Sequence, residues 1–343
     1  MHRPVRYISR TAFAGVLGLG LAASLAACSA STPAPAPSGE PAEMTGAVDP
    51  HAPETTDVTA LLWRQTSSVP FYLAQSEGFA SDYGITLNAE YVENSPAALS
   101  GVIGGTGQIG SMSLWSVVGA IQEGVDLRII GESFRHVKDS MFMETMPGSG
   151  IEKIEDLAGK TVGVAGMNSG LDLSIKNWFL EHDMDPSSIN FVNLGYGEIG
   201  QALQTGTIDA GSLTGAALAQ ARSEIGSVDV FDYTDLLDFF PATSYVTTGE
   251  FADANPNTIA AFQCAVVVDG STLAASDDAK YRSAIKTGLG WDDAAIDATP
   301  KANYVPSNDP KVQQVVPDLM YVNGLLPEPM DITAYMIPIP DNC

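Results

Sequence analysis

From Val58 onward the chain alternates short β-rich runs with helical segments, and few architectures accept that rhythm. Val58–Arg64, Ile85–Tyr91, Gln108–Met112 and Leu127–Ser133 read as strands. Helices fall between them: one opening at Pro70 and ending near Gly78, one capped by Ser95, and one over Leu114–Glu123. A strand–helix–strand repeat of this length predicts a parallel sheet with helices on both faces. A second set follows. Strands are expected at Ser140–Thr145, Thr161–Ala165, Asn190–Leu194, Asp209–Leu213 and Val228–Asp232, with helices at Ser169–His182, Gly197–Thr205 and Gly215–Ile225. After Gly249 the chain reads as mostly helical. The sets echo each other: Gly107-Gln-Ile-Gly-Ser-Met-Ser113 aligns with Gly206-Thr-Ile-Asp-Ala-Gly-Ser212, each after an Ala-Leu-containing helix. Two similar α/β lobes are the simplest reading, with ligands expected at the carboxyl ends of the strands.

What precedes Val58 has a different character. Arg3, Arg6 and Arg10 lead into the apolar stretch Thr11–Ala27, which is short for a membrane span of roughly 20 residues. A basic start and a short apolar core predict an export signal over 1–27. It ends in Leu25-Ala-Ala-Cys28, which resembles a bacterial lipoprotein box with Cys28 as the lipidated, palmitate-bearing residue. Residues 28–57, rich in Pro, Ser, Ala and Thr, read as a disordered tether. The expected location is the outer face of the cell membrane, held by lipid. The formal charge of −25 argues against nucleic acid as a partner, since phosphate is bound by Lys and Arg. Losing the signal removes three arginines and no acid, so the mature chain is more acidic still.

Four loops at predicted strand ends carry candidate chemistry. They are Arg64-Gln-Thr-Ser-Ser68, Ser113-Leu-Trp-Ser116, Gly166-Met-Asn-Ser-Gly170 and Ser212-Leu-Thr-Gly215. Each sets hydroxyls, amides or small residues just before a helix, where N–H groups favour an anion or a polar oxygen. The same residue types also serve as helix caps, and both readings are open for any one loop. Trp63 and Trp115 lie close by, and Arg64 could grip an anion with two hydrogen bonds.

Other patterns fail on context. Gly105-Thr-Gly107-Gln-Ile-Gly110 spells a dinucleotide fingerprint but follows a helix and enters a strand, the reverse of what that site needs. Gly211-Ser-Leu-Thr-Gly215 has Leu213 where a nucleophile elbow needs Ser. His136 and His182 stand apart from any Cys/His cluster, so no metal, cofactor or catalytic residue is expected. Cys264 and Cys343 leave two readings open: a bond clipping the C-terminus to a helix, or a buried thiol and a frayed end.

Several runs together resemble a known family. Val69-Pro-Phe-Tyr-Leu-Ala-Gln-Ser-Glu-Gly-Phe79 with Tyr83-Gly-Ile-Thr-Leu87 is similar to the opening of solute-binding proteins for nitrate, sulfonates, taurine and thiamine-pyrimidine precursors, the NMT1-like family. Ile154-Glu-Asp-Leu-Ala-Gly-Lys-Thr-Val-Gly-Val164, Ala202-Leu-Gln-Thr-Gly-Thr-Ile-Asp-Ala210 and Asn255-Pro-Asn-Thr-Ile-Ala-Ala-Phe262 resemble its later motifs, in order. The resemblance implies a two-lobed periplasmic-binding-protein fold of type II, each lobe a mostly parallel sheet flanked by helices. Lobe 1 is expected over 58–138 plus 243–343 and lobe 2 over 139–242, with crossings near Arg135–Ser140 and Ala242–Val246. It implies a monomer that captures a small molecule in the cleft for an ABC permease and its ATPase. The positions carried over are Trp63, Arg64, Gln65, Thr66, Ser67, Ser113 and Trp115 in lobe 1, and Asn168, Ser169, Gly170 and Thr214 in lobe 2. The pyrimidine binders' loop is replaced here by Trp63-Arg-Gln-Thr-Ser-Ser, so the ligand is not copied from any one relative; a sulfonate or nitrate-type oxyanion fits Arg64 and the helix starts and is favoured, while a planar heterocycle would fit the tryptophans. A surface sensor or adhesin is a second class. A pyrimidine-synthase-like enzyme is disfavoured, because that enzyme's self-donated His and Cys-rich motif are missing.

Overall fold

The structure is a computed structural model that describes residues 48–136, 138–237, 241–297, 299 and 301–343. The export signal, Cys28 and residues 28–47 of the expected tether lie outside the described residues. The strands are β1 (Asp57–Leu62), β2 (Thr86–Tyr91), β3 (Ile109–Ser113), β4 (Leu127–Arg135), β5 (Met141–Thr145), β6 (Thr161–Val164), β7 (Asn190–Asn193), β8 (Ala210–Thr214), β9 (Val228–Asp232) and β10 (Pro241–Thr248). They form two sheets, ordered β2-β1-β3-β10-β4 and β7-β6-β8-β5-β9. The orders correspond strand for strand, so the sequence echo between 107–113 and 206–212 is the echo of β3 and β8. Each sheet is mixed. β10 runs antiparallel to β3 and β4, and β5 runs antiparallel to β8 and β9.

The helices that matter for the site are α1 (Val69–Ser76), α2 (Ser95–Ile103), α3 (Leu114–Gln122), α4 (Gly170–Glu181), α5 (Tyr196–Thr205), α6 (Gly215–Gln220), α7 (Pro256–Ser276) and α8 (Pro310–Val322). Their starts follow local chemistry. Asn94 accepts the Ala97 N–H before α2, and Ser169 and Asp172 form a reciprocal capping box before α4. α7 is apolar enough by composition to cross a membrane, yet it is largely buried in lobe 1. Its Gln263 Nε2 donates to the Ile130 and Ile337 carbonyls at 2.8 and 3.0 Å, satisfying a polar group that would otherwise be costly to bury.

Two expectations change. Ala242–Val246, read as a crossing, lies inside β10, which pairs with β3 and β4. Its Tyr245 and Val246 side chains are fully buried, the environment of a central strand. Residues 49–55, read as the end of a tether, are docked on α7. Asp49 N–H donates to Asn257 Oδ1 at 2.8 Å, and Glu54 accepts from the N–H groups of Asn257 and Thr258 at 3.1 and 2.9 Å. A carboxylate at a helix N-terminus satisfies orphan donors there. Burial works against it, but the Thr258 and Asn257 donors hold the Glu54 carboxyl below its usual range. Cys264, buried in α7, is bonded to Cys343 across 79 residues.

The glycine-rich run 105–110 connects α2 to β3, as its context requires. A Cβ on Gly107 would come within 2.8 Å of Leu61 Cγ, so this glycine serves close packing against β1.

Candidate functional site

The two sheets present their loop-bearing ends to the same pair of connections. β1, β2, β3 and β4 run parallel to one another, so Leu62, Tyr91, Ser113 and Arg135 end at one edge of the first sheet. β6, β7, β8 and β9 likewise end at Val164, Asn193, Thr214 and Asp232. The chain leaves lobe 1 from the end of β4 and enters lobe 2 at Met141, whose register partner is Thr214. It returns from the end of β9 to β10, where Thr243 pairs with Ser113. Both crossings therefore join carboxyl edges, and the predicted loops lie at those edges, where ligands of open α/β sheets gather.

In lobe 1 the loop after β1 is held firmly. Ser68 Oγ donates to the Trp63 carbonyl at 2.7 Å, and Tyr304 Oη donates to the Thr66 carbonyl at 2.7 Å. Among the described residues two donors in this loop have no partner: the buried Trp63 Nε1 and the hydroxyl of Ser67, a residue that is 0% exposed. Buried donors in this condition are rare and costly. Gln65 is partly exposed beside them. Arg64 is exposed, with its guanidinium carbon 4.2 Å from the centre of the Tyr91 ring, a cation–π contact. Among the described residues it has no carboxylate within ion-pair distance. Arg135 at the end of β4 is different. It donates to both Glu132 oxygens, and its Nη2 reaches Ser307 Oγ at 3.3 Å.

Other predicted residues are engaged in packing or capping. The Ser113 N–H donates to Ser95 Oγ at 3.0 Å. Trp115 is only 9% exposed and belongs to an apolar cluster with residues of α2, α3 and α8. In lobe 2, Ser169 Oγ donates to the Gly166 carbonyl at 2.9 Å and accepts the Leu171 N–H, while Thr214 Oγ1 donates to the Ser140 carbonyl at 2.8 Å. Asn168 is exposed and takes the left-handed conformation at φ 56°, which Asn tolerates better than most residues. Gly170 is buried at the first turn of α4.

The residue missed from sequence is Tyr91. It closes β2 and carries Arg64, and its Oη accepts from Tyr72 Oη at 3.0 Å. Its position at a strand's carboxyl end was the available signal. A separate cavity of about 510 Å3 opens between residues 306–310 and 333–339; none of the predicted site residues lines it. Among the described residues no group of His, Cys, Asp and Glu could hold a metal ion.

Comparison with curated protein sequences gives no match. Solved structures match over most of the chain. The periplasmic aliphatic sulphonate binding protein SsuA from Escherichia coli is similar with a TM-score of 0.65 at 20% identity, over 83% of this chain and 97% of that one. The alkanesulfonate-binding protein SsuA from Xanthomonas axonopodis pv. citri gives 0.64 at 16%, over 83% and 99%. The periplasmic nitrate-binding protein NrtA from Synechocystis PCC 6803 gives 0.61 at 12%, over 82% and 85%. At such identities the likeness is one of fold, the two-lobed fold of periplasmic binding proteins. The family described as NMT1/THI5 like matches residues 65–276, and with more than half of its length so matched the chain belongs to that family.

Proposed function

We propose that this chain is an extracytoplasmic solute-binding lipoprotein, anchored through Cys28, that captures a small oxyanion between its lobes and delivers it to an ABC importer. The observation that carries the ligand class is the loop after β1. It sets two unpartnered buried donors, Trp63 Nε1 and Ser67 Oγ, beside an Arg64 with no carboxylate partner among the described residues. Donors left without a partner suit a sulfonate or nitrate, which supplies only acceptors. The bound anion would favour the closed arrangement through contacts made by both lobes, and the closed form would dock on the permease. The sulfonate- and nitrate-binding names of the structural neighbours support the same class. The heterocycle reading loses support because Trp115 is packed in a core cluster instead of being presented for stacking.

Calorimetry against ethanesulfonate, taurine, nitrate and an aminopyrimidine tests this reading. An oxyanion is expected to bind and the pyrimidine to fail. Arg64→Ala is expected to weaken the oxyanion roughly tenfold to a hundredfold, the worth of a charged hydrogen bond. Binding of the pyrimidine alone, unaffected by Arg64→Ala, would refute it. Anchoring is tested by palmitate labelling of the wild type against Cys28→Ala.

A further inference from the structure

We propose that Leu173 is a positioning residue that ties the site loop of lobe 2 to lobe 1, so that the lobes stay engaged without ligand. Leu173 belongs by sequence to α4, the helix opened by Ser169 and Gly170. Its side chain is 1% exposed, yet it lies in the apolar cluster of lobe 1, with Trp115 of α3 and Val316, Leu319 and Met320 of α8. The rest of the buried apolar face of α4, with Leu171, Ile175 and Phe179, packs in the core of lobe 2. One side chain of the helix has thus crossed into the other lobe's core. A polar contact accompanies it: Asn323 Nδ2, just beyond the end of α8, reaches the Leu173 carbonyl at 3.5 Å.

The position along α4 gives this contact its consequence. Leu173 lies in the first turn, and its N–H donates to the Ser169 carbonyl at 3.0 Å. Ser169 in turn is locked by the capping box with Asp172, whose other oxygen meets Lys176 Nζ at 2.7 Å. The loop Asn168–Gly170 is therefore fixed to Leu173 through rigid helix backbone, and Leu173 is fixed to the cluster that also holds Trp115. Opening the cleft along this contact would expose a large aliphatic side chain, a cost that biases the equilibrium toward engagement. This inference rests on the reading that the loop at 168–170 faces the ligand.

The test uses the whole mature protein without ligand. Small-angle X-ray scattering of the wild type is expected to fit the engaged arrangement. Leu173→Ala is expected to enlarge the radius of gyration while circular dichroism stays native, and Leu173→Met to restore the wild-type profile. Asn323→Ala, outside the core, is expected to shift the profile in the same direction and serves if Leu173→Ala does not fold. With ethanesulfonate as probe, Leu173→Ala is expected to bind roughly tenfold more weakly, because part of the binding energy must then re-engage the lobes. A residue that merely stabilises lobe 2 would lower the melting temperature and leave the ligand-free profile unchanged; that result overturns the proposal, as does a wild-type profile of separated lobes. Scattering needs no ligand, so failure of the oxyanion reading leaves this test intact. Ethanesulfonate binding with an unchanged profile would refute only the Leu173 role.

Discussion

Replacing Cys343 with Ser tests the clip at the end of the chain with little else disturbed. The bond joins Cys264, buried in α7, to an exposed C-terminal residue, so the substitution removes the cross-link without opening a cavity. The two cysteines are 79 residues apart. In the chain-entropy treatment a closed loop of that size restricts the unfolded chain by about 4.5 kcal/mol at 25 °C. Measured values for real disulfides fall more often at about 2–4 kcal/mol. For a body of this size each kcal/mol corresponds to roughly 2 °C, so the melting temperature should fall by about 4–9 °C. Differential scanning calorimetry with and without reductant reads this directly. Reductant should lower the wild type by the same interval and leave Cys343→Ser where it is. If Cys343→Ser melts with the oxidised wild type, the bond does not constrain the unfolded chain, and the reasoning fails. The substitution leaves the tail's own hydrogen bonds in place: the Ile337 N–H donates to the Ile129 carbonyl at 2.9 Å and Asn342 Nδ2 to the Val48 carbonyl at 3.4 Å. The tail therefore covers the open edge of β4 and meets the segment leading in from the N-terminal region.

Four further substitutions reach other parts of the molecule. Glu54→Gln removes the charge that caps α7; with Glu54 exposed and screened, a loss of about 0.5–1 kcal/mol is expected, read as a shift in the urea midpoint at pH 7. Its carboxyl titrates below the usual range when folded, so the contribution holds above the unfolded value and disappears as pH falls through the folded one. Burial holds the His136 imidazole down at about 4, with Asp232 pulling the other way. An unfolded imidazole protonates first, near about 6.5, so stability should fall by about 2 kcal/mol between pH 7 and pH 5. Urea midpoints of His136→Gln should lose that part of the pH dependence, and an unchanged slope would discard the assignment. Ser169→Ala and Trp115→Ala should both weaken the oxyanion identified by calorimetry, Ser169 by loosening the start of α4 and Trp115 by unseating the cluster shared with Leu173; unchanged affinity in both would move the site elsewhere.

The lobes were legible because their signals are local. β-branched runs, Ser169 before α4, and the paired Gly107 and Gly206 runs each declare an element without help from distant residues. β10 was not legible, since its place in the sheet is set by distant partners: it lies between β3 and β4, more than a hundred residues earlier in the chain. Leu173 was hidden for the same reason. Helical periodicity places it on a buried face of α4 but does not say whose core that face enters.

The site raises a sharper question, because caps and ligand loops use the same residues. Ser169, Thr214 and Ser113 looked equivalent to Ser67 in sequence, and the structure separates them by what their donors already meet. The hydroxyls of Ser169 and Thr214 are spent on backbone carbonyls, and the Ser113 N–H is spent on Ser95. Ser67 Oγ and Trp63 Nε1 are buried and unspent, and Arg64 rests on an aromatic face. A donor left unpaired in a folded protein costs about 1–3 kcal/mol, which a bound acceptor would return. On the proposed function, a ligand would gain most per contact at the loop after β1. Affinity should then divide unequally: substitutions at Trp63 and Ser67 should raise the ligand's off-rate, while those at Leu173 should change how often the lobes are engaged when it arrives.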